Sequence, residues 1–173
     1  MRLPVRPRRH GAHAVEFAVV APMVLILLIG LVVCAVATSD YQQTASLARE
    51  AARFAAVHAG QYQKDNASAI AWGTLPDVTS SYITTNVVQA RAVNMDPSQL
   101  QVSVKFNTSS GTYDWDDTAN NGKRWPYSTT TVNNKTYNET NTVSVTVTYT
   151  YTPAWLLGSS VTLTSTAVVP VCY

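Results

Sequence analysis

Residues 14–37 read AVEFAVVAPMVLILLIGLVVCAVA, and this apolar segment decides the fold of the chain. It has 24 residues, and about 20 are enough for a helix to cross the hydrocarbon core of a membrane. Four arginines precede it: Arg2, Arg6, Arg8 and Arg9. Because loops rich in Lys and Arg stay in the cytoplasm, the sequence predicts an N-terminus inside and the chain from about Thr38 to Tyr173 outside.

A cleavable secretory signal is the main alternative for this segment. Such a signal has an apolar core of about 7–15 residues, which is shorter than the run seen here. Ala35-Val36-Ala37 nevertheless resembles a small-residue cleavage site. Arg8-Arg9 would fit a twin-arginine export signal, but the residues that follow do not support one. The sequence therefore favours a single membrane-spanning helix that is retained.

Helical sequence continues beyond the apolar segment. Residues 41–57 contain no Gly or Pro and are rich in strong helix formers. Small apolar residues recur there at three- and four-residue spacing and form one stripe: Ala45, Ala48, Ala52 and Ala55. With Gly60 as a C-cap, we predict one continuous helix, Ala12–Ala59, about 70 Å long. A mild kink is expected at Pro22, which removes the hydrogen bond to the carbonyl of Ala18.

Beyond Gly60 the helical period gives way to alternation. Residues 61–79 look irregular, and Ser80–Val93 is predicted as a second helix with Ile83, Val87 and Ala90 on its inner face. Three stretches then alternate between apolar and polar residues, as strands with one buried face do: 100–106, 143–151 and 161–167. Pro153 and Gly158 mark the turn between the last two. We therefore predict an α+β fold in which the long helix packs against a small antiparallel sheet.

A polar stretch, Asn107–Asn141, separates the first two predicted strands. Loops of this length are usually functional or disordered, and Asn120-Asn121-Gly122 is a strong signal for an additional hairpin. Four aromatic residues fall within it: Tyr113, Trp115, Trp125 and Tyr127. They either stack on sugars or a partner surface, or fold back onto the sheet as a satellite core, and the second interpretation is favoured.

The same stretch holds three aspartates that suggest a calcium loop: Asp114, Asp116 and Asp117. However, Ala119 stands where an EF-hand loop needs Gly, and Trp125 stands where it needs a bidentate Glu. A solvated acidic loop is therefore favoured. The three histidines, His10, His13 and His58, all lie outside the predicted sheet, so we predict no enzymatic activity, no metal and no cofactor.

The charge balance does not indicate a nucleic-acid partner. Lys and Arg number 12 against 10 Asp and Glu, a net charge of +2. Without the four arginines before Gly11 the balance is 8 − 10 = −2, so the basic character reflects membrane topology. The two cysteines, Cys34 and Cys172, are badly placed to pair with each other. Cys172 is either a free thiol or an intermolecular link, and the free thiol is favoured.

Two motifs carry a resemblance to a known family. Residues 11–22, GAHAVEFAVVAP, resemble the processing site and helix start of TadE-like proteins, the pseudopilins of tight-adherence (Flp-type) pilus systems. That pattern has a Gly before the cut, a Glu at the fifth mature position, an aromatic after it and then a Pro. The matching residues are Gly11 before Ala12, Glu16, Phe17 and Pro22. Further along, Ala48–Arg53 resembles the second motif of the family through Arg49, Glu50 and Arg53.

The resemblance implies a pilin-like fold and a bitopic inner-membrane protein. Residues 1–11 would be a basic leader that a prepilin peptidase removes, 12–59 the long helix with its membrane span at about 14–37, and 60–173 an extracytoplasmic α+β domain. Its partners would be other pilins and pseudopilins and the pilus assembly platform. Because major Flp pilins are much shorter, a minor subunit is favoured, with the choice between filament component and assembly factor left open.

Glu16 is the residue for which a specific role follows. A carboxylate within a membrane segment costs roughly 2.5–3.5 kcal/mol on insertion scales. Cleavage would create a cationic amine at Ala12, which the Glu16 of a neighbouring subunit can meet in a low-dielectric setting. The alternative is a glutamate that only snorkels to the interface. Two other functions stay open: a membrane-anchored surface adhesin that needs no cleavage, and a pseudopilin of a type II secretion apparatus.

Overall fold

The computed structural model describes residues 10–117, 124–152 and 160–172, with side chains from Ala14 onward. The chain divides into two units, Met1–Thr38 and Ser39–Tyr173. Helix α1, His10–Val57, contributes to both units and confirms the predicted long N-terminal helix. It begins and ends two residues earlier than the predicted Ala12–Ala59.

The described part of the first unit is the apolar part of α1. Large apolar side chains are exposed along it, from Val15 to Val36, and Pro22 lies inside the helix. An 18-residue window has a mean hydropathy of 3.1, and none of it is buried. Removal of apolar surface from water stabilises a structure by about 25 cal/mol per Å². Because the apolar side chains of this helix are not covered by protein, lipid is a better environment for them than water. By length and composition it is able to cross a membrane.

In the second unit, α1 buries one face that consists mainly of alanine. Ala48, Ala52 and Ala55 are fully buried and Ala45 is half-buried, as the small-residue stripe predicted. The buried face is wider than predicted, because it also includes Leu47, Ala51, Ala56 and Ala59. Such small side chains allow neighbouring elements to approach the helix axis closely.

Gly60 does not cap α1. It begins a short helix, α2 (Gly60–Asp65), and its N–H donates to the carbonyl of Arg124 at 2.8 Å. A Cβ at this position would lie 2.8–2.9 Å from backbone atoms of Arg124, so only glycine permits this contact between two backbones. Helix α3 (Ala67–Ala71) follows. The prediction of an irregular 61–79 is therefore wrong for its first half.

The predicted second helix is present, but its inner face is shifted. It begins as α4 (Ser80–Tyr82), continues as a π-helix over Ile83–Val88 and ends as a 3₁₀ turn over Gln89–Arg91. The i→i+5 bonds of a π-helix widen the turn and change the buried register. Ile83 and Val87 are buried as predicted, whereas Ala90 is exposed and Val88 is buried in its place. A 3₁₀ helix, Pro97–Gln99, leads into the sheet.

The three predicted strands are all present. The strands of the described residues are β1 (Leu100–Thr108), β2 (Gly111–Asp114), β3 (Tyr127–Val132), β4 (Lys135–Thr140), β5 (Thr142–Tyr151) and β6 (Val161–Pro170). Four of these form an antiparallel sheet in the order β2-β1-β5-β6, and β3 pairs only with β4. The predicted turn residues Pro153 and Gly158 lie outside the described residues.

One face of the four-stranded sheet forms the core of the second unit. On β1 and β5, Val104 lies opposite Val145 and Phe106 opposite Val143, and all four are buried. They belong to one hydrophobic cluster with the α1 alanines and the inner face of the second helix. The α+β fold with a long helix packed on a small antiparallel sheet is thus confirmed.

The stretch 107–141 forms more strands than predicted. The β3–β4 hairpin turns at Asn133 and Asn134, whose φ angles are 51° and 60°. Positive φ at two successive residues suits a tight two-residue turn, and asparagine tolerates it better than most residues. The predicted turn at Asn120-Asn121-Gly122 lies outside the described residues.

Trp115 and Arg124 attach this stretch to the core. Trp115 is only 2% exposed, and its Nε1 donates to the carbonyl of Val78 at 2.8 Å. The Arg124 guanidinium stacks 4.1 Å from the centre of the Trp115 ring and donates to the Trp115 carbonyl from Nε (3.0 Å) and Nη2 (2.6 Å). Burial lowers the pKa of Arg124, an effect opposed by the carboxylates of Asp116 and Asp77. The satellite-core interpretation therefore holds for Trp115.

The acidic loop is partly structural. The Asp116 carboxylate accepts hydrogen bonds from the backbone N–H of Ser80, at 2.9 and 3.1 Å, and from the Ser80 hydroxyl. Asp116 thereby fixes the start of α4 and is not simply solvated, as the sequence had suggested. Within the described part of the chain, no group of three or more His, Cys, Asp or Glu is placed to hold a metal ion.

Candidate functional site

The predicted site residues fall on both units. Glu16, Phe17 and Pro22 lie on the apolar part of α1, and Arg49, Glu50 and Arg53 lie on its part in the second unit. The backbone at Gly11 and Ala12 is helical, and the surroundings of these two residues lie outside the described part. The predicted cleavage between them stays a prediction.

The first group forms the start of an uncovered apolar helix. Both Glu16 and Phe17 are exposed, Phe17 by 73%. Glu16 is the one charged residue of the stretch 14–37. Its carboxylate is therefore carried on the side of a helix whose other exposed groups are apolar, an arrangement that favours lateral contact with another helix.

The second group lies on the outer surface of α1. Glu50 is half-buried, and its Oε1 lies 2.5 Å from Nη1 of Arg91, in the 3₁₀ turn that ends the second helix. The i,i+3 spacing of Glu50 and Arg53 on α1 would allow a weak pair between them, but the structure pairs Glu50 with Arg91. With both side chains about half exposed, the pair contributes less than about 1 kcal/mol. Its structural role is to connect α1 to the turn.

Arg49 and Arg53 are exposed and line two adjacent grooves. One groove, of about 590 Å³, has Glu50, Phe54 and Arg91 among its other walls. The second, of about 370 Å³, runs along residues 165–169 of β6. A guanidinium presents several donors in a rigid fork that matches a carboxylate. This ridge of two arginines between two grooves is therefore suited to receive acidic side chains of a partner.

His58 has a structural role beside the larger groove. Its ring stacks on Phe54 with centroids 4.0 Å apart and meets the edge of the Tyr62 ring at 4.6 Å. Its Nδ1 also lies 2.9 Å from the carbonyl oxygen of Phe54. His58 thus follows the last residue of α1, and contacts with Phe54 and Tyr62 hold its ring in place.

Sequence reasoning missed Arg91 and Arg124. Arg91 is remote in sequence from Glu50, and the packing of the second helix against α1 brings the two together. Arg124 follows a polar stretch with no periodicity, so no local pattern indicates that it stacks on Trp115. Both depend on tertiary contacts that a sequence pattern does not encode.

Comparison with known proteins places the predicted site residues within one family match. The model of the TadE-like protein family matches residues 11–53 of this chain. That range includes all the predicted site residues: Gly11, Ala12, Glu16, Phe17, Pro22, Arg49, Glu50 and Arg53. No curated protein and no solved structure matches the chain. The resemblance is therefore confirmed: residues 11–53 are TadE-like, which points to the proteins associated with tight-adherence pili.

Proposed function

We propose that this chain is a minor pseudopilin of a tight-adherence (Flp-type IV) pilus, needed for pilus assembly and surface adherence. A prepilin peptidase cuts it after Gly11, and residues 14–37 anchor it in the inner membrane with the second unit outside the cytoplasm. Its partners are other pilins and pseudopilins and the assembly platform. The observation that carries the proposal is the family match over residues 11–53, a range that includes both motifs, residues 11–22 and Ala48–Arg53.

Glu16 would guide assembly through the new N-terminus. The helical rise of 1.5 Å per residue separates Ala12 from Glu16 by about 6 Å along the axis. A neighbouring subunit displaced by that distance brings its Glu16 level with the Ala12 amine. Each charge then relieves part of the cost of keeping the other in a low-dielectric environment. A charge pair at fixed axial offset would set the register between subunits.

The arginine ridge would make a second contact outside the membrane. Arg49 and Arg53 are exposed, while Glu50 is engaged by Arg91. A partner that enters either of the two adjacent grooves would therefore meet the guanidinium groups of Arg49 and Arg53. A pilin partner with acidic residues fits this surface by charge complementarity.

The test of the proposed function is replacement of Glu16. The variants Glu16→Ala and Glu16→Gln should be processed and remain in the membrane, because removal of a charge eases insertion. They should lose pili and surface adherence, since the Ala12 amine of a neighbour has no carboxylate to meet. Cell-surface pili are counted by electron microscopy, and processing is followed by the mass of the protein.

Glu139→Gln is the matched control, because Glu139 is exposed on β4, far along the sequence from the cleavage motif. It should support pili at the wild-type level. Wild-type piliation in both Glu16 variants would show that Glu16 only snorkels, and the adhesin alternative would then be preferred. Normal tight-adherence pili with a defect in protein export would instead indicate a type II secretion pseudopilin.

A further inference from the structure

The second unit contains a groove that the pilus function does not use. It has a volume of about 560 Å³ and lies between the β1–β2 turn, at residues 108–110, and the start of β3. Three aromatic rings line it, those of Tyr113, Trp125 and Tyr127. Its volume is in the range of roughly 300–1,000 Å³ that is typical of ligand pockets.

The base of the groove is held by a closed polar network. Asn141 is 2% exposed; its Oδ1 accepts from the Ser128 hydroxyl at 2.8 Å and its Nδ2 donates to the Trp125 carbonyl at 2.9 Å. Ser109 joins the network, with its hydroxyl 2.8 Å from that of Ser128 and its N–H donating to the same oxygen at 3.2 Å. The network ties the three chain segments together, so the groove is formed before a ligand arrives.

The aromatic rings remain available at the surface. Trp125 is 36% exposed and Tyr127 is 55% exposed, unlike the buried Trp115 nearby. The Lys64 ammonium lies 5.4 Å from the centre of the Trp125 ring, a cation–π contact that helps to hold the ring in place. Lys64 itself does not line the groove. Leaving two large rings exposed forgoes the stabilisation that their burial would give, which is expected of a binding surface.

The chemistry of the lining selects among ligands. All the described residues that line the groove are uncharged, and the rest of the lining consists of Ser and Thr hydroxyls and the Asn141 amide. Nucleic acids require cations for their phosphates. The lining hydroxyls already bond to one another, and a purely apolar ligand would use none of their remaining hydrogen-bonding capacity. A sugar ring presents an apolar C–H face, which can stack on the aromatic rings of the groove. It also carries hydroxyls at its edge, which can bond to the Ser and Thr hydroxyls and the Asn141 amide.

We propose that this groove binds a neutral oligosaccharide, with Trp125 and Tyr127 as stacking platforms and the surrounding hydroxyls as hydrogen-bonding partners. The site is independent of the proposed pilus function, because it shares no residue with the cleavage motif, Glu16 or the arginine ridge. It would give the second unit a means of contacting a glycan-coated surface.

The test uses the full-length protein in detergent micelles, titrated calorimetrically with maltohexaose, cellohexaose and chitohexaose. At least one of these should bind. Trp125→Ala and Tyr127→Ala should each weaken that binding about tenfold, the equivalent of one good aromatic stacking contact. Tyr127→Phe should retain it, because the ring remains. Tyr137→Ala is the control, since Tyr137 is 52% exposed on β4 but does not line the groove.

Three outcomes would overturn the proposal. The first is an absence of binding to all three sugars, and the second is undiminished binding in Trp125→Ala and Tyr127→Ala. The third is binding only of a single-stranded oligonucleotide that weakens as salt is raised, which would indicate a nucleic-acid surface. The thermal unfolding profile of each variant identifies loss of folding as a separate effect.

Discussion

Gly11→Trp is expected to abolish removal of the leader completely. A peptidase that cuts between Gly11 and Ala12 must bring the scissile peptide close to its reacting groups, and a glycine offers no side chain to obstruct that approach. An indole at this position would prevent it. The variant should keep residues 1–11 with their four arginines, and the mass of the membrane-bound protein would show this directly.

The matched control is Gly30→Trp, which places the same side chain in the same helix. A Cβ at Gly30 meets no atom within 4 Å, so the residue has room and lies far from the predicted cut. This variant should be processed like the wild type. Normal cleavage of Gly11→Trp, or failure of both variants, would contradict the role given to Gly11.

Trp115→Ala should destabilise the second unit by about 3–5 kcal/mol, the usual cost of truncating a buried large aromatic residue. The change removes a ring that is 2% exposed, leaves the Val78 carbonyl without its indole donor and takes away the surface on which Arg124 stacks. Arg124 would keep its partly buried charge without that ring. Denaturant unfolding of the full-length protein in micelles, followed by circular dichroism, measures the loss.

Trp72→Ala provides the control for this measurement, because Trp72 is 86% exposed. Its free energy of unfolding should stay within about 0.5 kcal/mol of the wild-type value. Equal losses in the two variants would show that Trp115 does not connect the polar stretch to the core.

The elements that the sequence predicted are those with a strong period. The alanine stripe of α1 and the alternating residues of β1 and β5 each bury one face, and burial is what creates such periods. The apolar run is not buried, and its length and composition identified it instead. The hairpin β3–β4 was missed because its exposed strands contain mostly polar residues on both faces. The two successive asparagines at its turn, Asn133 and Asn134, are the local signal that could have located this hairpin.

Contacts between distant elements were not predictable in the same way. The approach of Gly60 to Arg124 and the pairing of Glu50 with Arg91 depend on how helices and strands pack. The π-helical turn at Ile83–Val88 is similar, because one extra residue per turn moved the buried position from Ala90 to Val88. The motif residues of the N-terminal part, in contrast, were predicted from local sequence without any tertiary contact, and the range of the family match includes them.

The proposed cleavage between Gly11 and Ala12 is tested most directly by the N-terminal residue of the wild-type protein recovered from membranes. The protein is isolated from cells with an active prepilin peptidase and sequenced from its N-terminus. We expect Ala12 as the first residue, with Glu16 at the fifth position of the mature chain. Recovery of the membrane-bound protein with Met1 intact would contradict the proposed cleavage, because the amine proposed to meet Glu16 would never form.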